Sequence, residues 1–257
     1  MNVISAGHTH IGRRQNNEDA FHLEPDCGLF IVADGMGGYE GGEVASQLAV
    51  STVTEFFVAH ERDEAVTWPF GMERELSFLE NKVMVAVRMA HRDVIERRTG
   101  KLAEMGATVV VLAVDRAGAE AVLAHMGDSR IYRLRDLTLS QLTRDHSFYN
   151  QLADSGMKDL PSPEHFVHKN IITRALGFPS GGDRPELRTV HPRPDDVYLL
   201  CSDGLCDVVP DAVIAAHLLH LTPQDACKAL VQEAYDRGGR DNITAVVVAF
   251  EAQAERR

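Results

Sequence analysis

Residues 28–42 read GLFIVADGMGGYEGG, an apolar run that reaches Asp34 and continues into a glycine-rich turn. Apolar runs of this kind predict a buried strand. Glycine-rich turns after strands often hold phosphate groups, but two common nucleotide-binding motifs do not fit here. A P-loop needs GxxxxGK[ST], and no lysine follows these glycines; the dinucleotide fingerprint GxGxxG needs a glycine where Glu40 stands. The stretch therefore does not predict a nucleotide-binding loop.

Other apolar runs in the chain also lead into an aspartate next to small residues. LAHMGDSR at 123–130 and LLCSDGLCD at 199–207 repeat the pattern, and GGRDNIT at 238–244 places an aspartate just before the last apolar run. An acidic pair also occurs in NNED at 16–19. Each aspartate alone is readily explained as a turn or cap residue. If the strands are neighbours, however, these carboxylates converge on one site.

Converging carboxylates repel one another and raise each other's pKa values unless cations lie between them. Because neither Cys nor His recurs in these motifs, the ligands would be oxygens, which favour Mg²⁺ or Mn²⁺ over zinc and copper. Two such ions, roughly 3.5–4 Å apart, make a bridging water hydroxide-like and support its in-line attack on phosphorus. The pattern thus predicts a two-metal site suited to phosphate-ester hydrolysis.

Two arginines, Arg13 and Arg14, precede the acidic pair Glu18 and Asp19 by a few residues. A guanidinium binds phosphate oxygens through two parallel hydrogen bonds, which an ammonium cannot reproduce. These arginines are therefore candidates for the group that holds the phosphate. The alternative is that both are ordinary surface arginines.

The composition is that of a compact globular protein, because 44% of its 257 residues are hydrophobic and no low-complexity tract interrupts them. No signal-peptide pattern is present, and no apolar run approaches the roughly 18 residues that span a bilayer, so we expect a cytoplasmic protein. The net charge of −12 argues against non-specific binding to nucleic acid or anionic membranes. The four cysteines form no CxxC pair and are expected in the core, with a zinc site or a redox dithiol as alternatives.

Hydrophobic periodicity predicts both strands and helices, in an irregular order. Runs rich in Val and Ile predict strands at 28–33, 107–114, 121–125, 130–134, 197–201 and 243–250, with a hairpin turn at 115–120. Helical spacing predicts helices at 43–60, 73–99, about 211–221 and about 223–237, the last with Thr222 as its N-cap.

This order lacks the regular strand–helix alternation of a parallel sheet and favours an α+β sandwich, with packed sheets inside and helices outside. No internal repeat and no break in composition divides the chain, so we expect a single domain over 1–257. The polar region 143–182, rich in Pro, Gly and His, is expected to be a functional flap or a mobile loop.

Taken together, the motifs resemble those of the metal-dependent type 2C protein serine/threonine phosphatases (the PPM family), especially the compact bacterial members. Each motif alone is weak, but their order and spacing span residues 13 to 244. The matching stretches are RRQNNED at 13–19, VADGMGG at 32–38, MGAT at 105–108, GDSR at 127–130, LTRDHS at 142–147, ITRALG at 172–177, CSDGL at 201–205 and RDNIT at 240–244.

The resemblance implies a four-layer α-β-β-α sandwich with a two-metal centre at one end of two antiparallel sheets. It assigns roles residue by residue. Asp34 would bridge two Mn²⁺ or Mg²⁺ ions, Gly35 would offer its carbonyl, and Arg14 would bind the phosphate better than Arg13. The other implied ligands are Asp203 and Asp241 for the first ion, Glu18 and Asp19 for the second, and Asp128 with Asp203 for a third, weaker site; Asn242 would orient Asp241.

One position departs from the eukaryotic members, many of which have a histidine, thought to protonate the leaving oxygen, where Met36 stands. Methionine cannot supply that proton. A metal-bound water is the first candidate for the acid, and His146, at the start of the flap, is the second. Bacterial relatives often carry DGMGG, so activity itself is not in doubt.

The function implied is hydrolysis of phosphoserine and phosphothreonine by direct attack of the bridging water, without a covalent intermediate. The expected partners are phosphorylated proteins, among them a Ser/Thr kinase that the enzyme opposes; no nucleic acid or membrane partner is expected, and the chain is expected to be a monomer. Two alternatives are a catalytically inactive binding module on the same fold and a phosphohydrolase of small molecules.

Overall fold

The computed structural model describes residues 1–38, 41–63, 66–162, 165–168, 170–178 and 181–252. In these ranges the strands are β1 Asn2–His10, β2 Asp19–Glu24, β3 Leu29–Met36, β4 Gly106–Ala107, β5 Val109–Val114, β6 Ala121–Met126, β7 Arg130–Arg135, β8 Thr138–Gln141, β9 Glu186–Val190, β10 Val197–Cys201 and β11 Ile243–Glu251. The α-helices are α1 Gly41–Arg62, α2 Phe78–Arg97, α3 Phe148–Asp154, α4 Asp203–Cys206, α5 Asp211–His220 and α6 Pro223–Asp236. None of the helices described there combines the length and apolar character that a membrane span requires.

The strands form two antiparallel sheets that pack face to face. One sheet has the order β1-β11-β10-β7-β8, and the other has the order β2-β3-β5-β6-β9 with β4 paired to β3. Apolar side chains from both sheets, among them Phe30, Leu112, Tyr198 and Phe250, form one fully buried cluster between them. Since inward and outward residues alternate along each strand, every strand also presents a second face to a helical layer.

Helices cover the outer face of each sheet. The long helices α1 and α2 pack on the β3–β5–β6 side, where Phe57 and Val83 lie in the same core cluster as Ile31. Helices α5 and α6 pack on the β10–β11 side through Ile214 and Leu230. The four layers and the antiparallel pairing confirm the predicted α+β sandwich.

All the predicted strands are present, with the run 107–114 divided into β4 and β5, and the hairpin at 115–120 joins β5 to β6. Four strands were not predicted, namely β1, β2, β8 and β9. Their sequences (NVISAGHTH, DAFHLE, TLSQ and ELRTV) mix polar with apolar residues, and they become strands because each hydrogen-bonds to a neighbouring strand.

The predicted start of the second helix at residue 73 is wrong, because α2 begins at Phe78. Ser77 caps it: its side chain accepts a hydrogen bond from the Glu80 backbone N–H, and the Glu80 carboxylate accepts one from the Ser77 N–H. The Asn81 amide donates to the Glu73 and Leu76 carbonyls, which holds the preceding segment outside the helix. The Thr222 cap of α6 is confirmed by its hydrogen bond from the Asp225 N–H.

The flap predicted at 143–182 contains the short helix α3, which the sequence did not predict. Residues 163–164, 169 and 179–180 of the flap lie outside the described residues, as do Tyr39 and Glu40 of the glycine-rich stretch. The four cysteines are free; Cys201 and Cys227 are buried in the core, as expected, while Cys27 and Cys206 are half-buried at its margin. The single domain over 1–257 stays a prediction.

Candidate metal and phosphate site

Strand pairing brings the predicted carboxylates together at one end of the sandwich. In the β2–β3 ladder, Asp19 is the direct partner of Asp34. On the other sheet, the Ser202 N–H donates to the Thr244 carbonyl at 3.2 Å, which sets Asp203 beside the Asp241 turn. The two sheets thus deliver two acidic groups each to the same place.

Asp34, Asp203 and Asp241 line a cavity of 1320 Å³. Its walls include seven of the predicted site residues, namely Arg14, Glu18, Asp34, Gly35, Asp203, Asp241 and Asn242. Asp19 lies behind the wall, and Asp128 lines an adjoining cavity of 620 Å³ that also contains Asp203. Eight of the nine predicted site residues thus line one of two cavities that share Asp203. The ninth, Asp19, is the strand partner of Asp34.

Burial and mutual repulsion disfavour the charged form of these carboxyls. Burial, followed by the charges of Asp19 and Asp203, raises the pKa of Asp34 well above its usual range. Burial likewise raises the pKa of Asp19 and of Asp128 to about 7, and that of Asp203 to about 6. Four neighbouring aspartates with raised pKa values form a site that a cation would stabilise.

The hydrogen bonding of the site leaves oxygens free for a cation. Asp19 accepts bonds from Ser202 Oγ at 2.7 Å and Thr244 Oγ1 at 2.6 Å, but both go to Oδ2. Its Oδ1, like Oδ1 of Asp128 and of Asp203, is buried without a hydrogen-bond partner among the described residues. Buried oxygens of this kind are rare without a reason, and an all-oxygen set of carboxylates fits Mg²⁺ or Mn²⁺.

Glycine is required next to Asp34 for steric reasons. A Cβ at Gly35 would lie 2.0 Å from the Gly42 carbonyl oxygen and 2.7 Å from that of Glu18. A Cβ at Gly42 would in turn lie 2.6 Å from the Glu18 carboxyl. The start of α1 therefore packs directly against the acidic strands, which only glycines permit. Gly37, with φ of +130°, then turns the chain away from the site.

The two candidate arginines have different surroundings. Arg14 Nη2 lies 2.6 Å from Asp241 Oδ2, and the side chain lines the acidic cavity while remaining 56% exposed. Arg13 instead lies over the Tyr235 ring, 5.8 Å from its centroid. Of the two arginines, Arg14 lines the cavity and Arg13 does not.

Asn242 links the first and last segments of the site. Its Oδ1 accepts a bond from the Glu18 N–H at 2.7 Å, and its Nδ2 donates to the Ile11 and Asn16 carbonyls, each at 2.9 Å. Its backbone N–H donates to Asp241 Oδ1 at 2.9 Å. Through its side-chain amide and its backbone N–H, Asn242 is therefore suited to orient Glu18 and Asp241.

The family assignment follows from sequence comparison. A family profile described as protein phosphatase 2C matches residues 6–241, which is most of the chain. The chain belongs to the protein phosphatase 2C family. Its two-sheet sandwich with a carboxylate-lined cavity is the arrangement that this membership predicts.

Two bacterial proteins illustrate the similarity of this phosphatase 2C chain to its relatives. The serine/threonine phosphatase stp of Listeria welshimeri is 33% identical over 243 residues, covering 91% of this chain and 90% of the relative. The phosphatase PstP of Mycobacterium tuberculosis is 35% identical over 237 residues, and the match spans 91% of this chain but 42% of PstP.

Solved structures agree with this fold. The crystal structure of M. tuberculosis PstP has a TM-score of 0.82 and 33% identity, with 97% of this chain and 99% of that chain covered. A structure of the PstP catalytic domain in complex with two manganese ions has a TM-score of 0.79 and 33% identity, with the same two coverages of 97% and 99%.

The structure also bears on the proton donor of this phosphatase 2C chain. Met36 lines the cavity, whereas His146, the second candidate, is not part of its wall. Burial, with the nearby His125 and Arg174, lowers the pKa of His146 to about 4, so the ring is neutral near pH 7. A neutral ring outside the cavity does not protonate a leaving group, and the structure argues against His146 as the acid.

Several residues of the site were missed by sequence reasoning. Ser202 and Thr244 hold Asp19, and both lie inside matched motifs, so the motif positions were the available signal. Lys101 and Leu102, in a short 3-10 helix, and Asn170, in the flap, also line the cavity, and no sequence pattern marks them. Ile172 lines it too and begins the matched motif ITRALG.

Proposed function

We propose that this protein removes phosphate from phosphoserine and phosphothreonine in proteins, using two Mn²⁺ or Mg²⁺ ions held by the acidic cavity. The observation that carries the proposal is a pair of buried carboxyl oxygens, on Asp19 and Asp203, that have no hydrogen-bond partner in the described part of the chain and stand beside a cavity lined by Arg14. The manganese complex of PstP supports the metal assignment.

The chain's own residues divide the work between cation binding and phosphate binding. Asp34, Asp203, Asp241 and the Gly35 carbonyl would hold one ion, with Asp34 shared by a second ion that Glu18 and Asp19 serve. Asp128 and Asp203 would hold a third, weaker one. When bound, the ions supply a nucleophilic water at neutral pH and neutralise charge on the phosphate.

Arg14 would bind the phosphate and orient it. A guanidinium has five N–H donors, and the contact with Asp241 uses only one nitrogen, so the other donors remain for phosphate oxygens. The bond to Asp241 also fixes the guanidinium next to the cation site, which restricts the direction of approach of the phosphoryl group. Because Met36 supplies no proton, we propose water as the donor to the leaving oxygen.

The cavity of 1320 Å³ is far larger than a phosphoryl group and leaves room for the flanking segment of a phosphoprotein. We propose that phosphorylated proteins are the substrates, that a Ser/Thr kinase and its targets are among them, and that the chain acts as a monomeric single domain. Release of phosphate from an autophosphorylated Ser/Thr kinase of the same organism, and the mass of the protein in solution, test these points.

The direct test is hydrolysis of a phosphothreonine peptide and of p-nitrophenyl phosphate with added Mn²⁺ or Mg²⁺. We expect turnover of both, abolished by excess EDTA. Sugar phosphates or nucleotides that outcompete the peptide would indicate a small-molecule phosphohydrolase instead. Tight binding of the phosphopeptide without any turnover would indicate an inactive binding module.

A further inference from the structure

A polar cluster outside the catalytic cavity joins three parts of the chain: His125 on β6, His146 at the start of the flap, and Glu186 at the start of β9. The two imidazole rings stack, with centroids 4.6 Å apart and planes 8° from parallel. Glu186 Oε2 lies 3.3 Å from His146 Nε2 and 3.9 Å from His125 Nε2. Two histidines and a carboxylate are a common zinc ligand set, so the cluster is either a metal site or a hydrogen-bonded junction.

The geometry argues against a metal ion. His125 Nε2 lies 2.9 Å from the Arg144 carbonyl oxygen, so this nitrogen carries a proton and has no lone pair to offer. Because the rings are nearly parallel, an ion in the plane of one ring would lie out of the plane of the other. Arg174 Nη1, 3.1 Å from His146 Nε2, adds a positive charge to the cluster.

His146 is instead bonded to the turn that carries Asp128. The His146 backbone N–H donates to the Gly127 carbonyl at 2.9 Å, and the Gly127 N–H donates to His146 Nδ1 at 3.1 Å. On the other side of this turn, Ser129 Oγ lies 2.7 Å from Thr108 Oγ1. The Asp128 turn is therefore held between His146 and Thr108.

His146 also contacts the returning end of the flap. Its carbonyl accepts bonds from the Thr173 N–H at 2.8 Å and from Thr173 Oγ1 at 3.1 Å. Arg174, beside the imidazole, donates to the Gly181 carbonyl at 3.1 Å and to the Arg184 carbonyl. Both ends of the flap thus meet at one residue, which is in turn bonded to the residue before Asp128.

We propose that His146 is a positioning residue that couples the seating of the flap to the Asp128 turn, and so to the ion that Asp128 would hold. The ion site rests on the proposed function, whereas the junction rests on the contacts alone. Coupling of this kind is reciprocal: an ion bound at Asp128 protects the flap, and a loosened flap weakens binding of that ion.

The test compares His146→Ala with His146→Asn in two measurements that need no turnover: Mn²⁺ binding by calorimetry, and the rate of proteolytic cleavage within the flap with and without Mn²⁺. Alanine removes the acceptor for the Gly127 N–H, whereas the asparagine Oδ1 stands near the position of Nδ1 and replaces it. We expect His146→Ala to weaken the weakest Mn²⁺ site by about fivefold and to speed flap cleavage by a similar factor, and His146→Asn to restore both. His165→Ala, a flap histidine hydrogen-bonded to Ser162, is the matched control and should change neither.

Unchanged Mn²⁺ binding and unchanged flap cleavage in His146→Ala would overturn the proposal. Tight Zn²⁺ binding by the wild type that is lost in both His125→Ala and His146→Ala would also overturn it, in favour of a metal site. If His146→Ala does not fold, Thr173→Val is the deciding variant. We expect it to weaken Mn²⁺ binding and to speed flap cleavage, each by less than His146→Ala. Unchanged Mn²⁺ binding and unchanged flap cleavage in Thr173→Val would contradict the coupling. A wild type that hydrolyses no phosphate ester would refute the proposed function, while flap cleavage would still decide the coupling.

Discussion

Asp19 and Asp34 lie directly opposite each other on the antiparallel strands β2 and β3. Like charges in this relationship destabilise a sheet, and the site adds Asp203 from the facing sheet. Hydrogen bonds from Ser202 and Thr244 stabilise Asp19, but only at one of its oxygens. The fold therefore retains an electrostatic cost at this end of the sandwich, which bound cations would remove.

This cost predicts an unusual dependence of stability on pH without metal. The pKa values of Asp19 and Asp128 in the folded chain are raised to about 7, above the ordinary value of 3.8, so the folded state binds more protons than the unfolded state between about pH 4 and about pH 7. The contribution of these two carboxyls to the free energy of unfolding is fully present below about pH 4 and is lost as the pH rises through about 7. In EDTA we expect Tm to fall as the pH rises across this window, and Mn²⁺ to raise Tm most at its alkaline end.

Asp34→Asn is the control for that experiment, since it removes one of the repelling charges. Its Tm in EDTA should depend less on pH than that of the wild type, and Mn²⁺ should raise it less. If the Tm of the EDTA-treated wild type rises from about pH 5 to about pH 7, the raised pKa values of Asp19 and Asp128 in the folded state are contradicted.

Arg14→Ala should impair phosphate binding. Loss of hydrogen bonds from a charged donor costs about 1.5–3 kcal/mol, so we expect kcat/KM for the phosphothreonine peptide to fall by about 10- to 100-fold, mainly through a higher KM. Arg13→Ala is the matched control, because its guanidinium lies over Tyr235 outside the cavity. Equal effects of the two substitutions in steady-state kinetics would refute the phosphate role of Arg14.

Gly35→Ala should disrupt the site even though it introduces only a methyl group. The new Cβ would stand 2.0 Å from the Gly42 carbonyl oxygen, so the start of α1 or the strand must move. We expect a loss of about 2 kcal/mol or more in the free energy of unfolding, together with loss of Mn²⁺ binding. Gly38→Ala is the control: Gly38 has a positive φ of +65°, but no atom of the described residues lies within 4 Å of the position of its Cβ. Chemical denaturation should show a loss of only about 1 kcal/mol in the free energy of unfolding, with metal binding kept.

Met36→Leu tests whether the residue at this position takes part in proton transfer. Both side chains are apolar and similar in volume, so we expect kcat for the phosphothreonine peptide to change by less than about twofold. A fall in kcat by orders of magnitude with unchanged Mn²⁺ binding would show that Met36 has a role that packing does not explain.

The motifs predicted which acidic residues the fold brings together better than periodicity predicted the strands and helices around them. Asp34, Asp203 and Asp241 became candidates because each stands at the start or the end of an apolar run, and Asp34 and Asp203 are each followed by a glycine. By contrast, β2 was missed although it carries Asp19, because DAFHLE becomes a strand only through its pairing with β3. The premature start of the second helix has a similar cause, because Asn81 and the Ser77 cap reach back along the chain.

Contacts between distant segments account for the rest. The hydrogen bond from the Glu18 N–H to Asn242 Oδ1 joins residues 224 positions apart, and no sequence pattern predicts that the two meet. The His125 and His146 stack likewise depends on how the flap leaves the sheet, so His146 was assigned a chemical role rather than a positioning one. Such relationships need the folded chain.

The proposed function requires that the carboxylates around Asp34 hold two divalent cations on which phosphate-ester hydrolysis depends. Equilibrium Mn²⁺ binding, measured on the same samples as phosphothreonine-peptide hydrolysis, tests it most directly, with the exposed Asp26→Asn as a control beside Asp34→Asn. We expect at least two bound ions and full activity for the wild type and for Asp26→Asn, and fewer ions and no turnover for Asp34→Asn. Full activity of the wild type in excess EDTA, or two bound ions with normal turnover in Asp34→Asn, would contradict it.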